Sequence, residues 1–470
     1  METTGLSADY LVIGGGAMGM AFTDVLMAET DATVIMVDKH HQPGGHWNDA
    51  YPYVRLHQPS AFYGVNSRDL GSDTIDQTGW NKGLYELATN SEVCAYFDQV
   101  MQQQFLPSGR MQYFPMCEYQ GDGRFVSLVS NGDYQVKVNK VVDATYMHVT
   151  VPSMRDPSYE VSQEARCVPP NHLPRVGGQF QRYVVIGAGK TGMDACLWLL
   201  KNEVDPIAIT WIMPRDSWIL DRAMIQPGAA LFDNSTLGFF AQQIEAIVEA
   251  DCVDDLFERL NACGQLLRLD ENIKPTMYRC ATVTKLELEQ LRRIDNIVRL
   301  GRVQRIDGDC IVLDEGTVPT NTSTLHVDCS ADGLERRPTV PAFDGDKITL
   351  QSLRTCQQVF SAALIGHVEA AYEGDAIKNQ LCTPVPHPNS HIDWLNTTLA
   401  NNLNQAQWLQ DEGLQKWLLA SRLDGFRGLL VALTSTDPDM QAIVQSMGEN
   451  MLPSIGKLQA FLAEVEAEAI

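Results

Sequence analysis

Two glycine-rich turns, each set between a short apolar run and a helix-compatible stretch, recur in one chain of 470 residues. They predict an α/β protein of two Rossmann-like, doubly wound, three-layer dinucleotide-binding domains. A proline-rich connection after the first unit, and a later echo of that unit's closing strand, place the second domain as an insertion in the first. A helical C-terminal region completes the fold. The chain divides into 1–175 (first domain, first part), 176–324 (second domain, with a helical insertion at about 221–300), 325–392 (return segment) and 393–470.

Composition sets limits on function. At 44% hydrophobic and 20% charged residues, the sequence is that of a globular protein too long for one core. A formal charge of −24 argues against nucleic acid or an anionic membrane as partner. The polar start METTGLSAD is unlike a leader, and no apolar run reaches the roughly 18–20 residues that span a bilayer, so a cytoplasmic protein is expected. The eleven cysteines contain no C-x-x-C, which suits reduced thiols and argues against zinc or a redox-active disulfide. His40, His41, His46 and the Pro384–His391 group match no ligand spacing, so no metal is expected.

The first unit opens with the strand Tyr10 to Ile13, and GGGAMG puts Gly14, Gly16 and Gly19 in G-x-G-x-x-G register. Gly14 permits the tight turn, Gly16 a close approach to pyrophosphate, and Gly19 close packing of helix on strand. The helix N-terminus offers unpaired N–H groups and a partial positive charge to the phosphates. The second run, Val34 to Val37, ends in Asp38, nineteen residues after Gly19 and placed to accept from a ribose. Gly44-Gly45-His46-Trp47 follows, where paired glycines allow close approach and Trp47 offers a flat face to a planar ring. Residues 91–106 read as an amphipathic helix, and Met111–Tyr119, Arg124–Ser130 and Tyr134–Val142 as strands.

The second unit repeats the plan, with Tyr183 to Ile186 as strand and Gly187, Gly189 and Gly192 in the turn. A helix to about Lys201 and the strand Ile207–Met213 come next. In place of an acid this strand ends in Pro214-Arg215, which suits the 2′-phosphate of NADP. A nucleoside-triphosphate loop would need glycine where Val184 stands. Asp194, early in the helix, reads as a helix-dipole partner. Leu325 to Ser330 echoes Val142-Asp143-Ala144-Thr145, and the two are read as the crossings between domains. The segments Trp394–Gln405 and Pro453–Glu468 read as helices suited to a cap over the site or to a homodimer contact.

Two such units, with Asp38 in the first and Arg215 in the second, resemble the two-dinucleotide-binding-domain flavoproteins, whose first unit holds FAD and whose inserted unit holds NAD(P)H. Gly44-Gly45-His46-Trp47 with Tyr51 and Arg55-Leu56-His57-Gln58-Pro59-Ser60-Ala61-Phe62 is similar to the flavin-containing monooxygenase group, nearest its YUCCA-type members. The resemblance covers about residues 8–215. It implies that Gly14, Gly16, Ala17, Met18 and Gly19 hold the FAD pyrophosphate and that Asp38 and Lys39 lie at the ribose. Gly45, His46 and Trp47 would lie along the flavin, Cys117 would meet the adenine through its backbone, and Thr145 would flank the cofactor at the first crossing. Gly187, Gly189, Lys190, Thr191 and Gly192 would meet the phosphates of NADPH, and Arg215 the 2′-phosphate. Three positions depart from the group: Ala144-Thr145-Tyr146 stands for its A-T-G, no F-x-G-x-x-x-H precedes the second turn, and His57 stands where animal members carry an asparagine near the flavin's reactive carbon.

The implied activity is FAD- and NADPH-dependent monooxygenation of a small organic substrate by dioxygen. It proceeds through hydride transfer to flavin and a C4a-(hydro)peroxyflavin. His57, Gln58 and Ser60 are the candidates to hydrogen-bond the peroxide. Two other readings stay open: an NADPH-dependent flavin reductase that does not oxygenate, and a non-catalytic dinucleotide-binding redox sensor. His387 and His391 are candidates to line a substrate entrance.

Overall fold

The computed structural model describes residues 3–227, 236–331 and 333–468. Its first sheet is centred on Tyr10–Ile13, flanked in parallel by Val34–Val37 and Lys140–Asp143. Met111–Phe114 and Lys347–Thr349 extend it in parallel, and Phe343–Asp344 closes one edge antiparallel. Short runs of buried β-branched residues fit strands covered on both faces. The helices Ala17–Glu29 and Gln358–Ala371 lie on one face, where Phe22, Leu26, Phe360 and Leu364 share a core with Val12 and Met36. They pack closely because residue 366 is glycine: a Cβ there would stand 2.9 Å from the Phe22 carbonyl oxygen. The other face carries a sheet of Thr4–Ser7, Asp133–Lys137, Arg124–Ser127 and Cys117–Gly121. The three layers are therefore helix, sheet, sheet, and Phe125 stacked on Tyr134 fills the second interface.

The second unit has the same plan. Its sheet runs Arg166–Val168, Thr324–Asp328, Arg182–Ile186, Ile209–Ile212, Ile297–Val298, all parallel. The helices Lys190–Lys201 and Lys285–Leu291 cover one face, and the meander Val303–Ile306, Cys310–Leu313, Gly316–Pro319 covers the other. The boundaries at 175 and 324 therefore need moving. Arg166–Val168 and Thr324–Asp328 pair with each other inside this sheet, and the first sheet is rejoined only at Phe343–Asp344. The echo between crossings is still structural. Asp143 accepts from the backbone N–H and hydroxyl of Thr145, and Asp328 accepts the same pair from Ser330.

The insertion contains the helices Gly238–Glu249 and Val253–Ala262, but also a sheet of Leu266–Leu267, Ser217–Asp221 and Met277–Val283. Residues 228–235, within the segment read as helical, lie outside the described residues. The C-terminal helices are His391–Trp408, Glu412–Ala420, Arg427–Leu433 and Pro438–Glu468, the last running through Pro453 instead of starting there. Pro438–Glu468 packs on Gly238–Glu249, and Leu458 and Phe461 join the core of the insertion. Arg354 pins this region to the return segment: it lies 2.5 Å from Asp424 and stacks on Phe360 and Trp408, all out of water, and on the half-buried Phe426. The cysteines are not all reduced, because Cys280 of the insertion and Cys356 of the return segment form a disulfide. They are 76 residues apart, which is why no spacing motif announced them. Among the described residues, no helix is long and apolar enough to cross a membrane, and no cluster of His, Cys, Asp and Glu could hold a metal.

Candidate cofactor-binding site

In the first turn Gly14 takes φ +101°, and its N–H donates to Val37 at 2.8 Å. A Cβ on Gly19 would stand 2.0 Å from the Gly14 carbonyl oxygen, so only glycine lets the helix seat on the strand. That helix begins at Ala17 and Met18 with Gly16 as N-cap. It has no side-chain cap and no acid in its first turn, which leaves its N–H groups for an anion. The Gly44-Gly45 segment lies over this turn. The Gly44 N–H donates to the Gly15 carbonyl at 2.9 Å, and a Cβ on Gly45, at φ +56°, would reach to 2.9 Å of the Gly16 Cα.

Asp38 is buried at the end of its strand. One carboxylate oxygen accepts from the Gly15 N–H at 2.5 Å, the other from the N–H and ring of His40. His40 also reaches Asp49 at 2.7 Å, and hydrogen bonding to Asp38 outweighs burial to raise its pKa to about 9. A carboxylate has about four acceptor positions, so three donors leave room for a ribose hydroxyl. Lys39 is exposed and pairs with Glu118 at 2.8 Å. Cys117 sits beside Asp38, its N–H donating to the Asp38 carbonyl, and Thr145 closes the other side against Gly14. His46 is held neutral, burial pushing its pKa down to about 4. Trp47 is core: it is buried among the first unit's apolar side chains and donates its indole N–H to the Tyr63 hydroxyl.

The second turn has the same backbone, and among the described residues nothing covers it at Gly189. Gly187 takes φ +124°, and a Cβ on Gly192 would stand 2.2 Å from its carbonyl oxygen. Gly189 is N-cap of a helix with neither side-chain cap nor early acid, and a Cβ there would meet nothing within 4 Å. Lys190 and Thr191 open that helix. Lys190 pairs with Asp194, which also accepts from the Tyr51 hydroxyl at 2.7 Å. Asp194 thus joins the two units, which is more than the dipole role read from sequence. Arg215 lies 3.5 Å from Asn389, whose amide oxygen also accepts from Arg279 at 2.7 Å. The neighbouring carboxylate, Asp216, is engaged by the guanidinium of Arg299 at 2.7 and 3.0 Å. Arg279 was missed in the sequence because the insertion strand that carries it was read as helix.

Between the turns, residues 51–63 of the first unit pack on the helix Lys190–Lys201 through Tyr51, Tyr53 and Trp198. Although part of its surface is accessible, His57 is held neutral: burial, then the charges of Lys190 and Arg222, push its pKa well below the usual value. Arg222, fully buried, donates to the carbonyls of His57 and Thr282 and to Asn81, and pairs with Glu287 at 3.0 Å. Gln58 makes one long bond, to the Phe62 carbonyl at 3.5 Å. The Ser60 hydroxyl donates to the Glu86 carbonyl and accepts from the Ala88 N–H. It holds two loops together, its one proton given to the Glu86 carbonyl and one acceptor position left over.

A cavity of about 470 Å³ opens where the two crossings leave their sheets, lined by Tyr146, Arg337, Ser352, His387 and Leu403 among others. The Ser352 hydroxyl is buried without a hydrogen-bond partner. His387 therefore lines a cavity, whereas His391 packs its ring on Phe257, away from it.

The residues present fit two dinucleotides: each turn would lose its close strand–helix contact to a Cβ, and each has an uncapped helix start behind it. No family model matches the chain. The uncharacterized protein Rv2000 of Mycobacterium tuberculosis (strain ATCC 25618 / H37Rv) is 55% identical over 460 residues, 98% of this chain and 85% of that protein. The uncharacterized protein Mb2023 of Mycobacterium bovis (strain ATCC BAA-935 / AF2122/97) matches to the same extent. Among solved structures, the cyclohexanone-bound cyclohexanone monooxygenase in its rotated conformation superposes with a TM-score of 0.50 at 14% identity. That match covers 90% of this chain and 99% of that one, and the likeness is one of fold.

Proposed function

The chain belongs to the family of the mycobacterial proteins Rv2000 and Mb2023, and from that premise and its fold we propose that it is an FAD- and NADPH-dependent monooxygenase of a small organic molecule. The observation that carries this reading is the pair of glycine turns, one covered by Gly44-Gly45 and one open at Gly189. A covered turn suits a resident nucleotide and an open one suits a nucleotide that exchanges. A solved structure that shares the fold is named as a monooxygenase, which supports oxygenation over simple reduction.

In this reading Gly14, Gly16, Ala17, Met18, Gly19 and Asp38 hold FAD, with Gly45 and Thr145 at its flanks. Gly187, Gly189, Thr191 and Gly192 hold the pyrophosphate of NADPH, and Arg215 and Arg279 its 2′-phosphate. When bound, FAD supplies the redox chemistry, taking a hydride from NADPH and activating dioxygen. His57 stays neutral at physiological pH and keeps one ring N–H to donate. The aromatic packing of Tyr51, Tyr53 and Trp198 keeps water from the seam between the units.

The test uses purified protein, NADPH and thioanisole as an easily oxidised probe. Yellow protein, bleaching by NADPH without air, and oxygen from dioxygen in the sulfoxide are the expected results. Turnover of NADPH with a quinone in the absence of air, and no oxygen in product, would select the reductase reading. Colourless protein that takes up no FAD would select the sensor.

A further inference from the structure

The Cys280–Cys356 bond joins the two parts of the molecule that the proposed cofactor exchange involves. Cys280 lies in the strand Met277–Val283, where the pairing with Ser217–Asp221 shifts register. Cys356 stands just before the helix Gln358–Ala371, which packs on the first glycine-turn helix. Both cysteines have a left-handed backbone, φ +55° at Cys280 and φ +60° at Cys356. Non-glycine residues hold that conformation only where the surroundings impose it. At Cys356 the two residues before it are anchored: Thr355 exchanges hydrogen bonds with Asn401, and Arg354 is locked to Asp424.

What Cys280 holds in place is the residue beside it. Arg279 donates to the Asn389 amide oxygen, which Arg215 also approaches, and the Tyr278 N–H reaches the Asn389 carbonyl. Position 280 therefore fixes the register of the segment that brings Arg279 and Asn389 to Arg215. We infer that Cys280–Cys356 is a thiol–disulfide exchange site, entered at the half-buried Cys356 because Cys280 is buried in the core of the insertion, whose reduction weakens recognition of a nucleotide 2′-phosphate at Arg215 and Arg279. The inference rests on the role proposed above for Arg215. In the exchange a dithiol such as dithiothreitol attacks the bond, two electrons and two protons pass to the cysteine pair, and the dithiol closes to a cyclic disulfide. The other nine cysteines already carry free thiols and are unchanged by it.

The experiment has two independent arms on the full chain, purified without reductant. Alkylation of the denatured protein should modify nine thiols before reduction and all eleven after it, with a Cys280–Cys356 peptide in the digest. Eleven thiols before reduction would overturn the inference whatever the cofactor does. Calorimetric titration with NADP⁺ and NAD⁺ is the second arm. Reduction should weaken NADP⁺ about tenfold, roughly the worth of one charge-assisted hydrogen bond, and leave NAD⁺ unchanged. Cys356→Ser should reproduce the reduced state, and dithiothreitol on the unaltered protein gives the same readout should that variant fail to fold. Equal NADP⁺ affinity in both redox states, with Arg215→Ala still lowering it, would overturn the exchange site and leave the Arg215 reading standing. No preference for NADP⁺ in either state would overturn both.

Discussion

Gly16 and Gly189 hold the same place in two turns whose backbones match. Gly14 and Gly187 share a left-handed φ, and Gly19 and Gly192 come equally close to the carbonyls of those residues. What surrounds them differs. A Cβ on Gly45 would press on Gly16, while a Cβ on Gly189 would meet open space. The acid that ends the first unit's second strand is held by His40, which Asp49 holds in turn, and the arginine at the matching place lies against an asparagine. Glycine spacing thus sets the shape of the turn, whereas the segment laid over it differs, and that difference is the basis proposed above for one nucleotide staying and the other exchanging.

The largest effect that can break this comparison is expected from Gly19→Ala. Its Cβ would meet the Gly14 carbonyl oxygen at 2.0 Å, backbone against backbone, so helix and strand must separate. A loss of about 4 kcal/mol of stability is expected, with loss of bound flavin. Gly189→Ala should cost under about 1 kcal/mol, since nothing opposes the methyl group and only an N-cap preference is lost. Urea unfolding of the two variants measures both, and a loss at Gly189→Ala as large as that at Gly19→Ala would mean that position 189 is not open as described.

Next in size is the joint between the units. Arg222→Leu removes a buried guanidinium that ties residues 57 and 81 to the strand Met277–Val283 and to Glu287. Breaking a buried pair from one side costs about 3–5 kcal/mol. Glu287 keeps its capping bond to the Thr284 N–H, which sets the expectation near about 3 kcal/mol. Thermal unfolding that splits into two transitions would sharpen the comparison further, because the two cores would then be melting separately.

The parts of this arrangement that were readable in the sequence are those with local causes. The turns, their helices and the strands beside them are written in adjacent residues, and the Asp143 and Asp328 echo follows from two strands with the same job. The features that were missed depend on distant partners. Thr324–Asp328 looks like a return strand until Arg166–Val168 is placed beside it. Met277–Val283 carries Arg279 and Cys280 inside an apolar run, and only the neighbouring Ser217–Asp221 makes it a strand. The disulfide, the Arg222 network and the Asp194–Tyr51 bond each join residues far apart in sequence. The bonds of the Ser60 hydroxyl were missed for the same reason, since its partners belong to residues 86 and 88.

A smaller effect tests the open turn alone. Arg215→Ala is expected to weaken NADP⁺ about tenfold and leave NAD⁺ within about twofold, as one charge-assisted contact to phosphate is lost. Direct titration of both nucleotides measures it. The same loss for each would show that Arg215 supports the fold and does not read the 2′-phosphate.

The smallest expected effect separates the turns by pH. His40, between Asp38 and Asp49, has its pKa raised from 6.5 to about 9. A histidine whose folded pKa lies above its unfolded value contributes stability that is complete below about 6.5 and is lost as the pH rises through about 9. His46 does not interfere in that window, because its own titration is displaced to about 4. The second turn has Arg215 at the matching place, which stays charged throughout. Melting temperature and flavin retention should therefore fall between pH 7 and about 9.5 in the unaltered protein, while NADP⁺ binding loses no charge at Arg215. His40→Asn should lower the melting temperature at pH 7 and flatten its slope toward pH 9. Parallel slopes for the variant and the unaltered protein would show that the Asp38–His40–Asp49 clamp contributes nothing to holding the first cradle closed.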